Sequence, residues 1–265
     1  MNDILVELTD MRRRDAAERE KALPFEEVMR MAAAAPQAHD FAAAFARRNG
    51  GVSSCRVIAE LKKASPSEGM IRAAFRPAEL ARELTDAGAA ALSVLCEPHR
   101  FLGGEDCLRE ARAATGLPVL YKDFLSTRYQ IAAARAAGAD AVLLIAAVLD
   151  DAALADLMGF ARSLGMEALV ETHDRDEIDR AADAGARIIG VNCRNLRDFT
   201  TDVSLLERLV GSIPDGCVRI AESGMHTRDA ILRAKAAGAD GFLVGTALMR
   251  AASPGERLRQ LATNE

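Results

Sequence analysis

The sequence contains no tryptophan and only two tyrosines among 265 residues. With aromatics this sparse, no stacking platform for single-stranded nucleic acid is readable. Neither sign of charge dominates: 34 lysines and arginines face 39 aspartates and glutamates, a net of −5. That balance speaks against a nucleic-acid or anionic-membrane partner, although a local basic pocket for a small anion stays open. No apolar run approaches the roughly 20 residues that cross a bilayer. The opening MNDILVELTDMRRRD mixes acidic, basic and apolar residues and lacks the apolar core of a signal peptide. Cys55, Cys96, Cys107, Cys193 and Cys217 are odd in number, scattered and without a C-x-x-C pair. They read as reduced thiols of a cytoplasmic protein rather than a disulfide or zinc framework. The four histidines form no His/Asp/Glu cluster at ligand spacing, so no metal is expected.

Half of the residues are apolar, enough for one sizeable core. Residues 1–48 read as a helical extension. Ile4, Leu5, Leu8 and Met11 recur at helical spacing, Pro24 suits a first helical turn, and Asp40 could cap a third helix running to Arg47. This arm has too few large apolar residues to fold alone and is expected to pack on the body formed by 49–265. From residue 50 onward a repeat sets in. DAGAAALSVL, AAGADAVLLI, DAGARIIGVN and AAGADGFLVG each end a helix, place a glycine and start a buried strand. Weaker copies give the series Gly88, Gly116, Gly138, Gly165, Gly185, Gly216 and Gly238, each ahead of a short apolar strand. With a first strand at 56–62 the count is eight. Eight strands alternating with helices predict a (β/α)8 TIM barrel with an N-terminal helical extension, one structural domain overall. The rival open sheet would carry a G-x-G-x-x-G or P-loop after an early strand, and neither is present.

In such a barrel the active site lies at the carboxyl ends of the strands. The first strand, VIAELKK, alternates so that Ile58, Glu60 and Lys62 share one face. Buried charges cost several kcal/mol unless paired, so a core strand ending in two of them points to use. Lys122, Glu171 and Glu222 also directly follow apolar runs, and Asn192 and Arg194 end the sixth strand. Converging lysines and glutamates shift each other's pKa, as acid–base catalysis requires. His99, Asp123 and Asp174 are explained well enough as caps or loop residues. The small residues of ESG and GTAL, namely Ser223, Gly224, Gly245 and Thr246, let backbone N–H groups approach an anion, and a phosphate site after strands seven and eight is common in this fold. Among the histidines only His173 falls near the mouth, where it reads as a structural hydrogen-bonder. Cys96 and Cys193 read as packing residues.

In order and spacing, VIAELKKASPSEG, SVLCEPHRFLGG, PVLYKDF, LVETHD, IIGVNCRNL, IAESG and FLVGTALM resemble the strand-end motifs of the indole-3-glycerol phosphate synthases. The resemblance spans about residues 1–260, arm included. It implies a cofactor-free carboxy-lyase of tryptophan biosynthesis that closes the ring of 1-(2-carboxyphenylamino)-1-deoxyribulose 5-phosphate and releases CO2 and water. It further implies Lys122 as general acid, Lys62 as second catalytic lysine, Glu171 as base, Glu60 as an orienting carboxylate, and Asn192 and Glu222 on the hydroxyls. Which lysine serves which step is not decided by the sequence. Phosphate falls to Ser223, Gly224, Gly245 and Thr246, with Ser65 at the lip of the first loop. The anthranilate pocket falls to Phe101, Phe124, Arg194 and Leu196. Four positions depart from the pattern: Cys96 for threonine, Tyr121 for arginine, Cys193 for asparagine and Thr246 for serine. None removes a proposed catalytic group. The alternatives are a non-catalytic phosphate-binding barrel and a phosphoribosylanthranilate isomerase-like enzyme. The latter wants a Cys/Asp pair and leaves the arm unexplained. A monomer is expected, with contact to other enzymes of the pathway left open.

Overall fold

The structure is a computed structural model that describes residues 4–45, 55–194 and 202–263. Helices α1 (Ile4–Ala22) and α2 (Phe25–Ala34) precede strand β1 (Val57–Leu61). A short hairpin of β2 (Ala64–Ser65) and β3 (Gly69–Met70) follows in the first loop. Then strands and helices alternate: α3 (Pro77–Asp86), β4 (Ala91–Leu95), α4 (Glu105–Ala114), β5 (Val119–Lys122), α5 (Arg128–Ala136) and β6 (Ala141–Ile145). The chain continues through α6 (Asp151–Ser163), β7 (Glu167–Thr172), α7 (Arg175–Asp183), β8 (Ile188–Asn192), α8 (Val203–Val210), β9 (Val218–Glu222) and α9 (Arg228–Ala236). It ends with β10 (Gly241–Val244), α10 (Thr246–Met249) and α11 (Pro254–Ala262). The eight long strands pair in parallel and close a barrel, β10 against β1. This is the expected (β/α)8 barrel with its helical extension. Every glycine of the repeat except Gly116 has positive φ, the backbone that ends a helix or turns into a strand at low cost when no Cβ is present.

Strand alternation sorts the side chains into two cores. Val57, Ala59 and Leu61 point outward into the layer shared with the helices. Ile58, Leu120, Leu169 and Ile220 point inward, one each from β1, β5, β7 and β9. They form one interior layer contributed by alternate strands, as this fold packs its barrel. Two residues further along the same four strands stand Glu60, Lys122, Glu171 and Glu222. The period of two turns the next layer toward the mouth from hydrocarbon to charge.

The arm wraps the barrel instead of leaning on one side. Phe41 and Phe45 enter the barrel's inner core, their rings 5.5 Å apart, and Phe45 lies against Gly241 at the start of β10. Val28 of α2 packs with Tyr129 and Ala132 of α5, and the Tyr129 hydroxyl donates to the Leu23 carbonyl at 2.9 Å. α1 reaches the opposite end, the mouth. Where a third helix is expected from Asp40, the described residues show a 3-10 turn, Ala42–Phe45, with Asp40 accepting from the Ala43 N–H at 2.9 Å. Arg47, the expected end, lies outside the described residues. Among the described residues no helix is long and apolar enough to cross a membrane.

Truncating the plug tests this arrangement. Phe45→Ala removes a buried ring from the barrel base and is expected to cost about 3–5 kcal/mol in urea unfolding. A loss below about 1 kcal/mol would mean that the arm does not close the base.

Candidate functional site

β1 ends with Glu60 and Lys62 paired at 2.8 Å, both facing the mouth. Their placement depends on β10. A Cβ at Gly245 would sit 2.3 Å from Glu60 Oε1 and 3.2 Å from Lys62 Nζ. No side chain fits there while the pair stands where it does.

Across the barrel, Lys122 Nζ donates to Glu171 Oε2 at 2.9 Å and to Glu222 Oε2 at 2.7 Å. All three side chains are nearly sealed from solvent. Burial works against the Lys122 charge. The carboxylates of Glu171, Glu222 and Glu60 outweigh it and hold the amine protonated above its ordinary range. The two acids divide unequally. Burial raises both, but Lys122, His173 and an Asn192 hydrogen bond bring Glu171 below its usual range. Glu222 stays raised, because burial and the neighbouring Glu171 exceed what Lys122 returns. Asn192 Nδ2 donates to Glu171 Oε1 at 3.1 Å, and Asn192 Oδ1 accepts from the Ser223 hydroxyl at 2.7 Å. Glu222 Oε1 is buried with no hydrogen-bond partner. It occupies the space a Cβ at Gly190 would fill, 2.1 Å from that position.

Beside this cluster the backbone turns open. Ser223 and Gly224 follow β9 as two consecutive left-handed residues, φ 64° and 70°. Gly245 and Thr246 follow β10 and begin α10. Four strand-end residues therefore border the same pocket with small side chains and backbone, a suitable floor for an anion. The first-loop hairpin closes over it. Arg194 donates to the Ser67 hydroxyl at 2.9 Å, Arg250 pairs with Glu68, and Arg72 donates to the carbonyls of Met249 and Ala251.

The opposite wall is apolar. Phe101 and Phe124 stand with ring centroids 6.2 Å apart, joined by Leu95, Leu143 and Ile145. Phe101 is held by the loop after β4, where buried Glu97 accepts from the N–H groups of His99, Arg100 and Phe101 at 2.6–2.8 Å. The roof is α1: Ile4, Leu5 and Leu8 line the pocket. The helix is clamped there by Arg12, whose guanidinium donates to both oxygens of Asp123 at 2.8–3.1 Å and to Asp15 at 2.7 Å. The Asp123 side chain is fully buried. Burial pushes its carboxyl up, against the pull of Arg12.

Glu60, Lys62, Ser65, Phe101, Lys122, Phe124, Glu171, Asn192, Arg194, Glu222, Ser223, Gly224, Gly245 and Thr246 thus meet in one pocket. Leu196 lies outside the described residues. Counting its opening to solvent, the pocket encloses about 1040 Å³. Two expectations need correction. His173 is not alone among the histidines at the mouth, since His226 lines the pocket. His173 itself is the structural hydrogen-bonder expected: its N–H donates to Glu177 and its ring pairs with the same carboxylate, with Nε2 3.6 Å from Glu171. Asp123 is not a loop cap alone: it receives the buried arginine of the arm. Asp174 does cap α7, accepting from the Glu177 N–H at 2.8 Å. The roof residues were visible only as an apolar stripe whose destination the sequence does not carry. Cys96 and Cys193 are buried free thiols. Cys193 donates weakly to the carbonyls of Glu222 and Ser223, and burial lifts it to about 11, well away from a nucleophile's range.

Residues 5–261 match the family profile described as indole-3-glycerol phosphate synthase. A curated relative of that name from Micrococcus luteus is 47% identical over 97% of this chain and 96% of its own. Solved structures of similar fold include a thiamine phosphate pyrophosphorylase from Pyrococcus furiosus. It has a TM-score of 0.59 at 17% identity over 79% of this chain and 94% of its own. An orotidine 5'-phosphate decarboxylase from Pyrococcus horikoshii gives 0.58 at 17% identity over 77% and 96%. At such identities these two share the barrel and nothing further is drawn from them.

The clamp is open to test. Arg12→Met strands the Asp123 carboxylate and is expected to cost about 3–5 kcal/mol at neutral pH. An unpaired buried carboxyl has its folded pKa raised above the unfolded value, so the folded state binds the extra proton. The deficit should therefore shrink as pH falls through that raised value and close near the ordinary carboxylate range. A deficit independent of pH in denaturant titrations would reduce Arg12 to a packing residue.

Proposed function

The chain belongs to the indole-3-glycerol phosphate synthase family, and on that premise we propose how its side chains divide the reaction. The enzyme is a carboxy-lyase of tryptophan biosynthesis acting on a sugar-phosphate substrate. The carrying observation is the buried triad Lys122–Glu171–Glu222, an ammonium held between two carboxylates beside an apolar wall. A binding protein gains nothing from burying such a group, because unpaired or half-paired charge destabilises a core.

The substrate's aryl ring lies against Phe101 and Phe124 beneath the α1 roof. Arg194 completes that pocket and faces the ring's carboxylate. The phosphate takes the backbone N–H groups around Ser223, Gly224, Gly245 and Thr246, with Ser65 closing from the lip. This fixes the ketone over Lys122. The Lys122 ammonium gives a proton to the ketone oxygen while the ring carbon bearing the carboxylate attacks the carbonyl carbon. The C–CO2 bond then breaks, and its electron pair restores the aromatic ring. An apolar, water-poor wall favours loss of a carboxylate and strengthens the internal charges. Lys62 delivers the proton with which the hydroxyl departs as water, held in place by Glu60. Glu171 removes the remaining C–H proton. Asn192 and Glu222 hold the intermediate's hydroxyls. Of the four departures, Thr246 keeps a hydroxyl at the phosphate, and Cys96, Tyr121 and Cys193 lie in the outer packing.

The test is turnover by purified protein supplied with carboxyphenylamino-deoxyribulose phosphate, followed by indole fluorescence. Product is expected from the wild type. Lys122→Met should lower kcat by about 10²–10⁴-fold, the usual contribution of a positioned acid, while the folded baseline in circular dichroism and binding of the substrate persist. Near-normal turnover in that variant would remove Lys122 from its role. Substrate binding by wild type without product would favour the non-catalytic barrel.

A further inference from the structure

Glu222 has one oxygen to which the reaction above assigns nothing. Its Oε2 accepts from Lys122 at 2.7 Å, yet its Oε1 is buried, unpartnered and pressed against Gly190. A carboxylate oxygen with a full negative share does not persist in such a place, because desolvation without a donor is not compensated. The charge count agrees. Lys62 answers Glu60, and Lys122 alone faces both Glu171 and Glu222. With both acids ionised, the triad would carry a net negative charge in the barrel interior. Of the further groups acting on it, Asn192 and Cys193 are neutral, and His173 divides its ring between Glu171, 3.6 Å from Nε2, and the nearer Glu177, 3.2 Å from Nδ1, so it answers an acid outside the triad first.

We infer that Glu171 and Glu222 share a single proton across Lys122, that it rests on Glu222 in the free enzyme, and that it reloads Lys122 during turnover. This rests on Lys122 being the proton donor of ring closure. The proton balance of the reaction requires such a store. Ring closure and loss of water each deliver one proton to oxygen, and the final C–H bond returns one. Expulsion of CO2 from a carboxylate thus consumes one proton per turnover. After Lys122 gives its proton to the ketone oxygen, the Glu222 O–H bond breaks, an N–H bond forms on Lys122, and Glu222 becomes a carboxylate. Lys62 supplies the proton for the departing water. Glu171 gains the C–H proton, so the acid pair again holds one. The proton consumed re-enters from water at Lys62 when product leaves, and the one on Glu171 returns to Glu222. A neutral Glu222 also frees Lys122 from one of its two carboxylates. That moves an amine otherwise held too firmly protonated toward a range where it can act as an acid. The raised pKa of Glu222 has the direction this assignment needs.

Infrared spectroscopy of the ligand-free enzyme locates the proton directly. The carbonyl stretch of a buried, protonated carboxylic acid should be present at mildly acidic pH and shift in deuterated water. It should fade as pH rises, be missing from Glu222→Gln, and in Glu171→Gln fade at lower pH than in the wild type, because the like charge that helps hold the proton is gone. Its absence from the wild type, or its loss in Glu171→Gln with survival in Glu222→Gln, would overturn the assignment. The wild-type titration stands even where a variant folds poorly. The use of the proton is read separately. Glu222→Gln should lower kcat at least about tenfold with KM little changed, and remove the alkaline limb that this group imposes on the wild type. Unchanged kcat in Glu222→Gln, with Lys122→Met inactive, would sink the proton store and leave the assignment of Lys122 standing. An active Lys122→Met would sink that assignment first.

Discussion

The Lys122 ammonium, held between Glu171 and Glu222, is the constraint from which the rest of the architecture follows. One cation and two acids cannot be buried together unless their geometry is imposed from outside. Here it is imposed by strand register. β5, β7 and β9 are alternate strands of a closed barrel, so their inward side chains fall in one layer and cannot drift apart singly. Directly beneath lies the hydrocarbon layer of Ile58, Leu120, Leu169 and Ile220, which keeps water away from the charges on that side. The glycines complete the fit. Gly190 yields its side-chain space to Glu222, and Gly245 yields its own to Glu60 and Lys62.

The arm serves the same cluster from a distance. Its α1 end roofs the pocket with Leu5 and Leu8, and the buried Arg12–Asp123 bridge fixes that roof to the residue that follows Lys122. Its other end seats Phe41 and Phe45 in the interior below. A barrel without the arm would have one face of its catalytic layer open to solvent and a void under its hydrocarbon layer. Both would weaken the low-dielectric environment in which the charges act.

Much of this was legible in the sequence because it is local. Period-two alternation showed that Ile58, Glu60 and Lys62 share a face, and the glycine series marked the seams between helices and strands. A closed barrel then brings strand ends together whatever the residues are, so the mouth could be assembled from sequence alone. What stayed hidden depends on contacts between distant segments. Arg12 and Asp123 are 111 residues apart, and nothing in either neighbourhood names the other. The stripe Ile4, Leu5 and Leu8 announces a buried face without saying what it covers. His226 enters the lining through the path of the turn after β9, which strand patterning does not describe. The unequal partition of charge between Glu171 and Glu222 arises from the Asn192 hydrogen bond and the nearby His173, which favour a charged Glu171 and which only the packing of the strand ends reveals.

The most direct measurement of the central claim is the titration of Lys122 itself, by heteronuclear NMR of enzyme labelled at lysine Nζ. The account expects a Lys122 signal that stays protonated beyond the ordinary lysine range, near 10.4, and moves down when either Glu171 or Glu222 is replaced by glutamine. A Lys122 that titrates at or below the ordinary lysine value in the wild type would contradict it. The carboxylates would then not be holding the ammonium, and the layer they form would be a product of the barrel's packing alone.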